Sequence, residues 1–74
     1  MFLRSGRHLK AARALAGMSQ RQLAAAAGLH WNSCKYHERK PGPLNGYAVD
    51  KMAEVLSRQG VATSTDGALS KPAA

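Results

Sequence analysis

The residues with most to offer chemically lie in one short run, Trp31-Asn32-Ser33-Cys34-Lys35-Tyr36-His37-Glu38-Arg39-Lys40. Taken as a helix with Cys34 facing inward, at about 100° per residue, the run sends Asn32, Tyr36 and Arg39 to within about 40° of the opposite, outward direction. Ser33, Lys35 and Lys40 flank them. An asparagine amide makes two hydrogen bonds to an adenine edge, serine and tyrosine hydroxyls reach bases or phosphate, and Lys and Arg neutralise phosphates. A second pattern overlaps the first: His30, Cys34 and His37 fall at i, i+4 and i+7, a row that could grip Zn²⁺ or copper. That row points into the core and lacks a fourth ligand, and a small buried thiol away from cations is inert. No metal, redox role or cofactor is therefore expected. With only four acidic residues, no paired carboxylates, no nucleophile beside a base and no Gly-rich phosphate loop, the chain is not expected to be an enzyme or to take a small-molecule ligand.

The elements that must hold this run follow from caps and periodicity. Ser5 is a good N-cap, and Gly6 to Ala16 place Leu9, Ala12 and Ala16 on one helical face. Gly17 ends that helix, Met18 dips toward the core, and Ser19 caps a second helix over about 20–27. In it Leu23 and Ala27 share a stripe, and Ala24 is small enough for another helix to cross closely. Gly28 takes positive φ without steric cost, Leu29 anchors the turn, and His30 or Asn32 opens the next helix, about 31–39, with a side chain able to cap. Pro41-Gly42-Pro43 stops it. A fourth helix begins at Asn45 or Gly46, with Val49, Met52, Ala53 and Leu56 at i, i+3, i+4 and i+7, and Gly60 closes it. Val61 is the last apolar residue expected to pack, so the chain divides into a domain over 1–61 and a flexible tail over 62–74, whose composition lacks apolar periodicity.

Charge points the same way as the outward face. Of eleven Lys and Arg in the 74-residue chain, eight lie in residues 1–40 beside a single acid, Glu38, while residues 41–74 hold three charges of each sign. The whole net charge of +7 thus belongs to the half that carries the run, an electrostatic footprint suited to duplex DNA. A chain this short buries only about 60% of its unfolded surface, so stability is modest. One cysteine excludes an internal disulfide framework and fits a reducing compartment. No apolar run approaches the roughly 20 residues of a membrane span, and Met1-Phe2-Leu3 is too short for a signal-peptide core. The location expected is cytoplasmic.

The stretch S-Q-R-Q-L-A-A-A-A-G-L, Ser19 to Leu29, followed by a buried position at Cys34 and a glutamate at Glu38, resembles the helix-turn-helix of phage-repressor and Cro-like regulators, the XRE family. The resemblance covers about residues 6 to 60, with Gln20, Leu23, Ala24, Gly28 and Glu38 in one register. Cys34 departs from the family's usual Ile or Val, and His37 from its usual apolar residue. The resemblance implies an all-α, four-helix, lambda-repressor-like domain, bacterial or phage-encoded and associated with the nucleoid. It implies that Trp31, Asn32, Ser33 and Tyr36 face base edges, although by angle Trp31 sits nearer the inward side. It also implies that Gln20 approaches the DNA backbone and that Arg13 and Glu38 form an ion pair tying the first helix to the end of the third.

The reading expected is a sequence-specific regulator, a repressor acting by promoter occlusion because so short a chain has no second domain. Gln20, Arg21, Lys35, Arg39 and Lys40 would contact phosphates, and a homodimer would use the outer side of the fourth helix or Phe2 with Leu3. Two other classes compete: a protein-binding module such as an antitoxin or adaptor using the same helices and Trp31, and a membrane-surface peptide, for which Leu9, Ala12 and Ala16 make a thin apolar face.

Overall fold

Residues 3–63 and 68–71 are described by a computed structural model of the chain. Four helices, α1 (Gly6–Leu15), α2 (Gln20–Ala26), α3 (Ser33–Glu38) and α4 (Tyr47–Arg58), are followed by two short strands, β1 (Ala62–Thr63) and β2 (Leu69–Ser70). Each boundary has a local cause. Ser5 Oγ accepts the His8 N–H at 3.3 Å to cap α1. Ser19 opens α2 with a capping box, its Oγ accepting the Gln22 N–H at 3.0 Å while Gln22 Oε1 accepts the Ser19 N–H at 2.8 Å. Gly17 and Gly28, at φ 69° and 71°, turn the chain out of α1 and α2.

Helices of six and seven residues are too short to persist alone. Tertiary contact holds them: α3 packs against α1, α2 and α4, with Cys34 as its one buried residue. The core beneath it is built from Leu9, Leu23, Cys34, Met52 and Leu56, all fully buried, with Ala12 and Ala24 at the close crossings. Each large aliphatic side chain removed from water there contributes about 1.5–3 kcal/mol. Leu44 and Val55 join this core as well, Leu44 from the irregular loop before α4.

Gly6 is the tightest point. A β-carbon built on it would stand 2.1 Å from the Glu38 carbonyl oxygen, and the Gly6 N–H donates to the Lys40 carbonyl at 2.9 Å. The start of α1 thus lies backbone to backbone against the end of α3, which only glycine permits.

Three expectations are corrected. The fold is mostly helical rather than all-α, because β1 and β2 pair antiparallel with Ala62 opposite Ser70 and Thr63 opposite Leu69. The domain therefore does not stop at residue 61: Val61 is buried, Gly60 turns the chain at φ 88°, and Leu69 packs on the core. A two-residue ladder with one apolar anchor needs no periodicity, so the pattern that made 62–74 look like a flexible tail could not see it; residues 64–67 and 72–74 lie outside the described residues. Finally, Leu3 is 1% exposed and its carbonyl accepts the Leu44 N–H at 3.1 Å, so it belongs to the core and not to a dimer surface. Phe2, named with it, lies outside the described residues. No helix among those described is long and apolar enough to cross a membrane.

Candidate nucleic-acid interface

The inward side of α3 is a hydrogen-bonded cluster around one carboxylate. Arg13 Nε donates to Glu38 Oε2 at 2.6 Å and Arg13 Nη2 to Glu38 Oε1 at 3.3 Å, while Nη1 reaches the Met18 carbonyl at 2.8 Å. Gln20 Nε2 donates to Glu38 Oε1 at 3.2 Å, and the Cys34 thiol donates to Oε2 at 3.0 Å. Helices α1, α2 and α3 are thereby joined at a point where the Glu38 side chain is only 5% exposed. Burial opposes the Glu38 charge, but the hydrogen bonds from Arg13, Cys34 and Gln20 outweigh it and hold the carboxyl below its ordinary value. The hydrogen bond to Glu38 raises Arg13 in turn. Burial, and then the neighbouring carboxylate, pushes the Cys34 thiol up to about 12.

This cluster changes the part assigned to Gln20. Its side-chain nitrogen is committed to Glu38 in a half-buried position rather than projecting toward a phosphate. The three residues of the His30, Cys34, His37 row face different partners: Cys34 turns to Glu38, His37 Nδ1 sits 2.8 Å from the Ser33 carbonyl, and His30 lies in the turn, exposed.

The outward side is open. Tyr36 is 58% exposed and Trp31 56%, and Lys35 and Arg39 are exposed beside Tyr36. The helix spans 33–38 rather than 31–39, so Trp31 belongs to the turn between α2 and α3. The helical angle that aimed it inward therefore does not apply, and its ring is instead covered on one side by the Arg21 guanidinium at 4.9 Å from the ring centre, with His30 tilted against it at 5.5 Å. Lys40 lies over the Tyr36 ring at 4.5 Å.

Asn32 occupies the N-cap position of α3 without capping it. Its backbone is helical, at φ −90° and ψ −5°, and no side-chain cap bond forms. An N-capping side chain needs an extended backbone to reach back to the free amides. His30 closes the turn instead, its Nδ1 accepting the Asn32 N–H at 3.2 Å and its carbonyl the Ser33 N–H at 2.9 Å. The Asn32 amide is left exposed and free of any role in capping. Ser33 is half-buried in the first turn.

The structure thus brings Trp31, Asn32, Tyr36, Lys35, Arg39, Lys40 and Arg21 to one exposed neighbourhood around α3, with Ser33 at its margin and Gln20 withdrawn. Sequence reasoning missed Gly6, whose closeness to α3 is a tertiary fact, and Tyr47, 71% exposed at the start of α4 with Lys51 5.5 Å from its ring centre. An open apolar groove lined by His8, Ala11, Ala14, Leu15 and Leu69 shares no residue with this neighbourhood. Comparison with protein families, with curated proteins and with solved structures finds no match for this chain.

Proposed function

We propose that this chain is a duplex-DNA-binding domain of helix-turn-helix type, with α2 and α3 as its two helices and α3 laid in the major groove. The observation that carries the reading is the division of α3 and its flanking residues into two faces: one sealed onto Glu38, the other presenting an asparagine amide free of capping, two exposed aromatic rings and, with Arg21 of α2, four cations. A six-residue helix is about 9 Å long, short enough to enter a groove about 12 Å wide end on or lengthwise. Asn32 and Tyr36, with Trp31 and Ser33, read base edges; Arg21, Lys35, Arg39 and Lys40 contact phosphates and supply most of the salt-dependent affinity. The regulatory role that follows is repression by occluding a promoter, acting as a homodimer on half-sites about one helical turn apart.

Fluorescence anisotropy tests this with the duplex upstream of the chain's own gene and a scrambled duplex of equal length, across salt concentrations. The expected result is a preference of about 10³ or more for the native duplex, with a steep fall in affinity as salt rises. Equal, weak binding to both would leave only a basic field and favour a protein partner at Trp31.

A further inference from the structure

One cleft is only partly accounted for by the face of α3. It lies where the start of α1 meets the loop after α3 and is lined by Ser5, Arg7, Glu38, Arg39, Lys40, Pro41 and Gly42. Three of these side chains are cationic, and the only acid among them has no charge to lend. Both Glu38 oxygens already accept hydrogen bonds from Arg13, Gln20 and Cys34, and the side chain is buried. Arg7 and Arg39 are exposed and enter none of the ion pairs or side-chain hydrogen bonds among the described residues. The helix amides do not create the field either: the Gly6 N–H is held by the Lys40 carbonyl and the His8 N–H by Ser5. What remains is three cationic side chains lining one concave site, a field that favours an anion.

Their position decides which anion. Lys40 reaches from the cleft to the Tyr36 ring, so the cleft is continuous with the outward face of α3 at its C-terminal end. At the N-terminal end, Arg21 stands on Trp31. The two cationic groups bracket a helix about 9 Å long, an arrangement suited to gripping the backbones on either side of the groove that α3 enters. We infer that the Ser5–Arg7–Arg39–Lys40 cleft is a phosphate clamp for the DNA backbone, and that Arg7, which lies outside the helix-turn-helix, is one of its contacts. The inference rests on the duplex-binding reading.

It is tested by the slope of log affinity against log salt for a 20-base-pair duplex of mixed sequence, measured for the wild type, Arg7→Gln, Arg39→Gln and Lys71→Gln. The last carries the same charge change at an exposed residue after β2, outside the cleft. Melting curves establish that each variant folds. Arg7→Gln and Arg39→Gln are each expected to reduce the slope by about 0.9, the value for one lost phosphate contact on duplex DNA, with Lys71→Gln unchanged. A steep wild-type slope that survives Arg7→Gln, or falls equally in Lys71→Gln, would overturn the clamp and leave duplex binding standing. A wild type with no salt-dependent binding would overturn both.

Discussion

The two sides of α3 differ in every respect that chemistry cares about. Toward α1 and α2, three polar side chains converge on a carboxylate that is 5% exposed, and each has its partner inside the fold. Toward solvent, the same six residues and their flanks present rings more than half exposed and an asparagine that serves no cap. The first side is organised to hold the helix in place and the second is not needed for that. Substitutions on the two sides should therefore separate stability from binding.

The largest effect is expected at the backbone contact beneath the inward side. Gly6→Ala drives a methyl group into the Glu38 carbonyl 2.1 Å away, and since backbone rather than a flexible side chain must give, the cost is about 3 kcal/mol, the upper end for overpacking. In a domain of this size that lowers the melting temperature by roughly 12–24 °C, read by circular dichroism. Arg13→Ala comes next, leaving the Glu38 charge buried with two weak donors, at about 3 kcal/mol; a variant that melts like the parent would break the inward half of the comparison.

Outward substitutions should do the opposite. Asn32→Ala and Tyr36→Ala are expected to shift stability by no more than about 0.5 kcal/mol while weakening binding to a preferred duplex by about 1–3 kcal/mol for Asn32. Loss of folding in either would mean that this face is structural after all.

Acid separates the sides more gently. The folded-state value of Glu38 lies below its unfolded one, so the stability it contributes is complete above the ordinary value of 4.5 and is lost as pH falls through the folded value. Below about pH 5 the wild type should lose melting temperature more steeply than Glu38→Gln, which starts lower and has no charge there to lose. The smallest effect is at Cys34. With its thiol buried and pushed up to about 12, it should react with a thiol reagent at neutral pH only on unfolding.

Much of this division was legible in the sequence because it rests on short-range signals. Ser5, Ser19, Gly17 and Gly28 mark helix ends through local backbone chemistry, and the inward aim of Cys34 follows from the period of a helix. What was not legible depends on where distant parts of the chain meet. Gly6 reads as an ordinary helix start until α3 is laid across it. Gln20 reads as a surface residue until Glu38 comes within 3.2 Å. The helical angle aims Trp31 inward only if the helix begins at residue 31 rather than 33, and the placement of His30 as the group that closes the turn depends on a ring nitrogen 3.2 Å from the Asn32 amide. The β1–β2 ladder escaped because two residues per strand carry no pattern.

We propose that the outward side of α3, with its two cationic ends, is the surface that meets DNA. Amide chemical shifts of the isotopically labelled chain, followed during titration with a mixed-sequence duplex of about 20 base pairs at low salt, test it most directly. Perturbations are expected to concentrate at Arg7, Arg21, Trp31 to Tyr36, Arg39, Lys40 and Gly42, with α4 from Val49 to Arg58 spared. Perturbations centred instead on α4 or on the groove at Ala11, Ala14, Leu15 and Leu69, or none at any duplex concentration, would contradict it.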